Sequence, residues 1–181
     1  MSGCVGSENT PQEFTDQYYD LRGLLLDQLE LLDSVNPQLV KTAEIEDKTE
    51  KEVFTPDSAG WANELDAFFQ TDINKPVLRD MYLIKDTVDG NLQQRIYRHL
   101  ESDAAGVRYL KVSYREKLNE VRKIQALYVE KNALYESSRL LQLQFEENAS
   151  ELRLKGYGVD GFQKMILKDT VYYQLQAEVN Y

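Results

Sequence analysis

The sequence predicts an α+β fold in which N-terminal amphipathic helices pack on one face of a curved antiparallel β-meander of about seven strands. Two observations favour this fold. Apolar residues recur every three or four positions before Pro76 and at every second position after it, and the links between the alternating segments are short. Strands with one apolar face form a sheet that is covered on one side only, and long strands curl such a sheet toward a half-barrel.

Helical periodicity predicts two helices, over 10–35 and 58–74. The first begins at residues 10–13, where Thr, Pro, Gln and Glu have the form of a capping box, and it ends before Pro37. The second begins after Asp57, a residue type that caps helices. The apolar stripes consist of Phe14, Tyr18, Leu21, Leu25, Leu29 and Leu32 in the first helix and Trp61, Leu65 and Phe68 in the second.

The sheet is predicted over about 77–179, and its clearest strand is the last, where residues 171–179 alternate between apolar and polar. Residues 39–54 predict an exposed polar hairpin outside this sheet, because charged residues are common there and large side chains are few. Three glycines within 156–161 predict an edge or corner of the sheet, with a loop that supports a ligand rim as the alternative.

The composition of the chain is that of one globular domain, with 181 residues of which 42% are hydrophobic and 29% charged. We therefore expect a single α+β domain over 10–181, preceded by a flexible tether over 1–9. The formal net charge of −10 repels phosphate backbones and anionic lipid, so no nucleic-acid partner is expected. Membrane attachment would need a covalent anchor, because the chain has no run of about 18 apolar residues that would span a bilayer.

The N-terminal residues carry the only cysteine of the sequence. Ser2-Gly3-Cys4 resembles the end of a bacterial lipoprotein signal, in which the cysteine becomes the lipidated first residue of the mature protein. We therefore expect Cys4 to carry an acyl anchor that holds the globular part at the cell envelope. A plain polar N-terminus without lipid is the alternative.

No catalytic or metal site is predicted, and no cofactor is expected. His99 is the only histidine, and the alternation of its strand puts it on the face that we expect to be solvated. One histidine and one cysteine do not supply a usual zinc ligand set. Two carboxylate pairs would suit a hydrolase, Glu44 with Glu46 and Glu146 with Glu147. Solvated turns and edges are the simpler interpretation of these pairs in so acidic a chain.

Tyrosine is over-represented, with 12 residues among 181. A half-buried pleated surface explains most of them, since the ring packs inside while the hydroxyl stays wet. The alternative is an aromatic-lined concavity for an apolar ligand or a protein segment. The residues predicted to face such a ligand are Tyr114, Tyr128, Tyr157 and Tyr173.

Short segments spread over most of the chain after residue 13 follow a familiar pattern. They are Tyr-Asp-Leu-Arg-Gly (19–23) together with 29–32, Trp-Ala-Asn-Glu-Leu (61–65), Asp-Ile-Asn-Lys-Pro (72–76), Leu-Tyr-Glu-Ser (134–137) and Gly-Phe-Gln-Lys (161–164). Together they resemble an uncharacterised lipoprotein family of Bacteroidota. The resemblance implies that Cys4 is the acylated cysteine and that the globular part faces the periplasm or the cell exterior. It implies no reaction and no catalytic residue.

The predicted function is that of a non-enzymatic, lipid-anchored envelope protein that acts as a binding or scaffold module. Its expected partners are the membrane, through the acyl anchor, and an envelope protein or an apolar ligand. One alternative is a carrier of lipid or another apolar ligand in a half-barrel cavity. A weaker alternative is a carboxylate-dependent hydrolase.

Overall fold

The computed structural model describes residues 17–149 and 151–181. Within these residues the chain forms two α-helices, one 3-10 turn at Pro76–Leu78 and nine strands. In chain order the helices and strands are α1 (Leu21–Val35), β1 (Gln38–Ile45), β2 (Lys48–Phe54), α2 (Ser58–Phe69), β3 (Tyr82–Asp89), β4 (Leu92–His99), β5 (Gly106–Tyr114), β6 (Val121–Lys131), β7 (Tyr135–Asn148), β8 (Glu151–Met165) and β9 (Val171–Asn180).

All nine strands formed by the described residues belong to one antiparallel sheet, in the order β2-β1-β9-β8-β7-β6-β5-β4-β3. Strands β3 to β9 follow one another as a meander, as the alternating pattern predicts. The β1–β2 hairpin adds two more strands beside β9, and β2 and β3 are the two edges of a sheet that is not closed. The prediction of about seven strands is therefore wrong.

The β1–β2 hairpin belongs to the sheet because β1 carries one strongly buried apolar residue. Leu39 is fully buried and lies opposite Val179 of β9, and the pairing continues to Ile45 opposite Tyr173. The outer strand β2 is exposed along most of its length and rich in Lys and Glu. Charged side chains on an edge strand discourage pairing with other molecules, so a pattern that predicts a poor strand is typical of an edge.

Helix α1 starts later than its apolar stripe predicts. Asp20 is the N-cap, and its carboxylate accepts the N–H of Gly23 at 2.7 Å. A side chain at Gly23 would collide with that carboxylate, so the glycine makes room for the cap. Residues 17–20 are not helical, and the capping box predicted at 10–13 lies outside the described residues. The helix ends at Asn36, which takes the left-handed conformation and donates its N–H to Leu32.

Helix α2 begins with the same Asp-x-x-Gly arrangement as α1. The Asp57 carboxylate accepts the N–H of Gly60 at 2.7 Å, as the capping prediction for Asp57 requires. The helix ends at Phe69, before the predicted end at residue 74, because Thr71 turns back to bond the carbonyl of Phe68 with both its N–H and its hydroxyl. The predicted order, with both helices ahead of the sheet, is also wrong, since α2 follows β2.

One hydrophobic core joins the two helices to one face of the sheet, which we call the inner face. Its largest fully buried side chains are Trp61, Tyr97, Phe68, Leu21, Leu25, Leu32, Leu39, Leu65, Ile73, Leu110, Leu141 and Leu143. Each buried leucine of this set contributes roughly 1.5–3 kcal/mol relative to an exposed one. At the start of α1, the ring of Tyr18 packs edge-to-face on Tyr82 and Tyr97, with centroid distances of 5.4 and 5.7 Å.

Candidate functional site

A groove runs along α1, and we call it the α1 groove. It has a volume of about 810 Å³, which is within the range of small-molecule and peptide sites. Its wall and floor come from α1, from the β5–β6 turn and from the start of β8. The lining residues are Tyr19, Asp20, Gly23, Leu24, Asp27, Gln28, Leu31, Leu118, Asn119, Glu151 and Leu152.

The position of α1 beside the groove is fixed by Gln28, a buried glutamine on its inner stripe. The Gln28 amide nitrogen donates to the carbonyl of Leu152 at 3.0 Å, and its carbonyl oxygen accepts the N–H of Leu154 at 2.7 Å. Pairing between β8 and β9 begins at Gly156, so these two residues of β8 have no β9 partner. The glutamine amide therefore supplies the bonds that a neighbouring strand would give, and it ties the helix to the sheet.

The α1 groove combines an apolar floor with an acidic wall. Leu24, Leu118 and Leu152 are partly buried at its base, whereas the carboxylates of Asp20, Asp27 and Glu151 line its sides. No lysine or arginine is among its lining residues in the described part of the chain. Such a surface attracts a ligand that is apolar along one face and positively charged along another.

Glu151 is the one groove carboxylate with a described ion-pair partner. Arg153 bonds it at 2.8 Å, and the same guanidinium lies 5.0 Å from the ring centre of Tyr181. Asp20 is occupied as the helix cap. Asp27 is exposed, and it offers the groove an acidic group on the open side of the helix.

The four tyrosines predicted to face a ligand lie in three different surroundings. Tyr114 is 6% exposed and belongs to the core. Tyr157 is 3% exposed and belongs to a polar network under α2. Tyr128 and Tyr173 are brought together in one cross-strand row. None of the four is among the residues that line the α1 groove in the described structure.

The network around Tyr157 connects three elements, and we call it the Glu64 network. The Tyr157 hydroxyl donates to the Glu64 carboxylate of α2, and the Lys41 ammonium of β1 lies 2.8 Å from both oxygens of that carboxylate. The Phe68 ring packs edge-to-face on Tyr157 at 5.6 Å. Burial, and then the bond to Glu64, raise the pKa of Tyr157 well above its ordinary value, so the phenol stays neutral.

The second group of tyrosines forms what we call the Arg139 row. Tyr128, Arg139, Gly161 and Tyr173 lie directly opposite one another on β6, β7, β8 and β9, and the side chains of the two tyrosines and the arginine share the inner face. The Arg139 guanidinium lies 4.9 Å from the ring centre of Tyr128 and 3.2 Å from the Glu130 carboxylate. Its Nε atom is buried without a hydrogen-bond partner among the described groups.

Gly161 leaves space for the Tyr173 ring within the Arg139 row. A Cβ atom at this position would lie 2.8 Å from the Tyr173 hydroxyl and 2.7 Å from the Ser138 carbonyl, so the tyrosine ring extends over the glycine. The glycines of 156–161 lie inside β8, which pairs with β7 and β9 on either side. The prediction of a sheet edge is therefore wrong, although a register shift does lie beside Gly156, opposite the step from Gln144 to Phe145.

His99 is 8% exposed, so the prediction of a solvated histidine is wrong. It lies on the inner face, where its ring packs edge-to-face on Tyr82 at 5.1 Å. Its Nδ1 atom accepts the N–H of Glu101 at 3.1 Å. The ring is therefore part of the β4–β5 connection and has no neighbouring nucleophile among the contacts of the described residues.

The carboxylate pairs proposed for a hydrolase each line an open cavity, and all four carboxylates are exposed. Glu44 and Glu46 are exposed on the outer face, at an open cavity of about 470 Å³ that Asp160 also lines. Glu146 and Glu147 line another open cavity, of about 530 Å³, together with Arg115 and Arg122, and Glu147 pairs with Arg122 at 2.6 Å. Among residues 17–149 and 151–181, no group of three or more His, Cys, Asp or Glu side chains is placed to hold a metal ion.

Two of the predictions concern attachment to a membrane. Cys4, the predicted acylation site, lies outside the described residues. Neither of the two described helices is long and apolar enough to cross a membrane.

Gln28 and Arg139 are residues that the sequence reasoning did not single out. A glutamine within the apolar stripe of α1 was a usable signal, since a polar residue there needs a buried partner. Arg139 gave a weaker signal, because apolar and polar residues alternate regularly only from Leu141 to Phe145 in β7.

Comparison with other proteins does not assign the chain to a family. No family model matches it, no curated protein matches it, and no solved structure matches it.

Proposed function

We propose that the chain is a non-enzymatic binding module of the cell envelope, held at the membrane by an acyl group on Cys4. The α1 groove is its binding surface for an envelope protein. The observation that supports this function is the combination of an apolar floor with exposed and partly exposed carboxylates in a groove of about 810 Å³. The ligand that fits it is a protein segment with an apolar face and a lysine- or arginine-rich face.

The rigid attachment of α1 favours a binding role for the groove. Gln28 bonds two backbone groups of β8, and the fully buried Leu21, Leu25 and Leu32 hold the helix on the sheet. A preformed groove loses little conformational entropy when a ligand binds, which favours affinity. We also propose that the sheet is curved as a half-barrel. Such a curve would set how deeply α1 lies against the sheet and so the depth of the α1 groove.

The test of the groove is a comparison of two variants with the same change of charge on the same helix. Asp27→Lys reverses a charge in the groove, whereas Glu30→Lys reverses an exposed charge of α1 that does not line it. In pull-downs from the native envelope, we expect Asp27→Lys to lose the partners that the wild type and Glu30→Lys retain. Identical partners for all three proteins would contradict the proposed role of the groove.

The anchor has its own test. Intact-mass measurement of the protein from the native membrane should show an acylated Cys4, and Cys4→Ser should release the protein into the soluble fraction. An unmodified cysteine in the membrane-free fraction would overturn the lipid-anchored part of the proposal. Lipid analysis of the pull-down eluate tests the carrier alternative, which predicts co-purified lipid.

A further inference from the structure

Two turns meet at one end of the sheet and form a single projection. The β6–β7 turn and the β8–β9 turn are joined by a backbone hydrogen bond of 2.9 Å from the Ile166 N–H to the Leu134 carbonyl. Tyr135 and Met165 lie opposite each other at the adjoining strand ends. We call residues 132–134 and 165–167 the paired turns.

The paired turns expose large apolar side chains to an unusual extent. Their exposed fractions are 65% for Leu134, 44% for Met165, 59% for Ile166 and 99% for Leu167. Leu167 takes a positive φ of 61°, a left-handed conformation that turns the chain at this tip. Scattered single apolar residues on a surface are ordinary, but four on two hydrogen-bonded turns form one patch.

The charge around the paired turns is opposite to that of the whole chain. Residues 131–136 and 163–169 carry Lys131, Lys164 and Lys168 against the carboxylates of Glu136 and Asp169, a formal charge of +3 − 2 = +1. The complete chain carries −10. Lys131 lies 3.8 Å from Glu136, and Lys164 lies opposite that carboxylate in the β7–β8 pairing. The net charge of the chain therefore differs in sign from the local charge at the paired turns. We call Lys131, Lys164 and Lys168 the lysine collar and the exposed apolar side chains of the paired turns the apolar tip.

We propose that the paired turns are a membrane-docking surface that inserts its apolar tip among the headgroups of a bilayer containing anionic phospholipid. The apolar side chains leave water at the headgroup boundary, and the lysine collar meets the negative surface. Two copies of the chain would not associate through the paired turns, because their lysine collars would repel each other. This inference goes beyond the proposed groove function, and it needs neither the protein partner nor the Cys4 anchor.

The test measures vesicle binding of the full chain carrying Cys4→Ser, so that no acyl group contributes. Sedimentation with vesicles of equal parts phosphatidylcholine and phosphatidylglycerol is compared with sedimentation with phosphatidylcholine alone. We expect binding to the anionic vesicles and much weaker binding to the neutral ones. Ile166→Ser/Leu167→Ser should weaken binding about tenfold or more, since two large apolar side chains no longer enter the interface.

The matched control is Leu83→Ser/Val88→Ser. These residues of β3 are 62% and 69% exposed, so the control removes similar apolar surface from another site. It should leave vesicle binding unchanged. Lys168→Gln should weaken binding to anionic vesicles about fivefold and leave binding to neutral ones unaltered, because one lysine near a charged surface contributes about that factor.

Several results would overturn the docking proposal. One is a wild-type chain that binds neither vesicle, and another is equal loss of binding in the turn and control variants. A third is self-association that the turn variant abolishes, which would make a second copy the occupant. Circular dichroism of each variant verifies folding. Failure of the pull-down would leave the vesicle result unaffected, so the two proposals fail separately.

Discussion

The Glu64 network and the Arg139 row both contain tyrosines on the inner face of the sheet. Different groups cover the tyrosines in the two places. At the Glu64 network, α2 supplies a carboxylate and a phenylalanine ring that cover Tyr157. No described hydrogen bond, ion pair or ring contact joins the Arg139 row to either helix. There, an arginine stacks on Tyr128 and Tyr173 extends over Gly161.

This difference shows that alternation along a strand does not decide how a tyrosine is buried. Tyr157 is almost fully buried because a helix crosses it, whereas Tyr128 and Tyr173 are half-buried by their own cross-strand neighbours. Buried phenols need a polar partner wherever they lie. The helix supplies that partner in one place and the sheet supplies it in the other.

Removing the helical cover should have the largest effect. Leu65 of α2 is fully buried, and Leu65→Ala should lower the free energy of unfolding by about 2–5 kcal/mol, because it leaves a cavity in the core. Chemical denaturation measures this change. Leu26→Ala removes a leucine that is 44% exposed on α1, and it should cost well under about 1.5 kcal/mol. Equal losses in the two variants would show that α2 does not cover the sheet as described.

Filling the space over Gly161 should disturb the Arg139 row alone. A Cβ there meets the Ser138 backbone carbonyl at 2.7 Å, so Gly161→Ala should destabilise the protein by about 1–3 kcal/mol. Gly158→Ala is the matched control in the same strand. Its Cβ would meet the Gln176 side-chain amide at 2.8 Å, and this exposed side chain can swing away. A cost for Gly158→Ala as large as that for Gly161→Ala would contradict this account.

Alkaline pH should act on the Glu64 network. The folded-state pKa of Tyr157 is raised above its ordinary value of 10.0, first by burial and then by Glu64. Its stabilisation is therefore complete below pH 10.0 and is lost as the pH rises toward the folded-state pKa, since the unfolded chain releases the proton more readily. At pH 11 the loss should be roughly 1.4 kcal/mol relative to neutral pH.

The pH effect of Tyr157 is isolated by Tyr157→Phe. Denaturation of the wild type and the variant at several pH values should give a stability difference that shrinks above pH 10.0, where the wild type loses this contribution. A difference that stays constant through that range would show that the Tyr157 phenol ionises as readily in the folded chain as in the unfolded one.

Single hydroxyl deletions should separate the two surroundings, and one of them should give the smallest effect. Tyr157→Phe removes the donor to the Glu64 carboxylate, and at neutral pH it should cost about 1.5 kcal/mol, the lower end for a hydrogen bond to a charged group. Tyr173→Phe removes a hydroxyl from a half-exposed side chain, and it should cost no more than a few tenths of that, about 0.3 kcal/mol. Thermal denaturation of the two variants side by side gives the ranking, and a reversed order would refute it.

Local residue patterns predicted much of the fold because they act over short distances. The stripe of Leu21, Leu25 and Leu32, the Asp57 cap and the alternation in β9 each depend on one helix turn or one strand, and the structure has all of them. The meander also follows from the short links. The two edges of the sheet could not be predicted from local patterns. The charged pattern of residues 39–54 predicts a hairpin, but it does not indicate which strand of the sheet that hairpin pairs with.

The site depended more strongly on distant parts of the chain. Gln28 is separated from Leu152 by 124 positions, and Tyr157 from Glu64 by 93. Alternation placed Tyr128 and Tyr173 on the face predicted to be covered and His99 on the face predicted to be solvated, whereas the structure puts all three on the inner face. The paired turns likewise come from two hairpins that meet only in the folded sheet.

The sequence by itself determined where the described helices and most strands lie, since backbone conformation and side-chain alternation are set by neighbouring residues. Tertiary structure alone decided that the hairpin of residues 38–54 joins the sheet, that Gln28 ties α1 to β8, and that lysines surround an apolar tip on an acidic protein. The physical reason is that burial and electrostatic fields depend on distances through space, which the chain sets only when its strands pair.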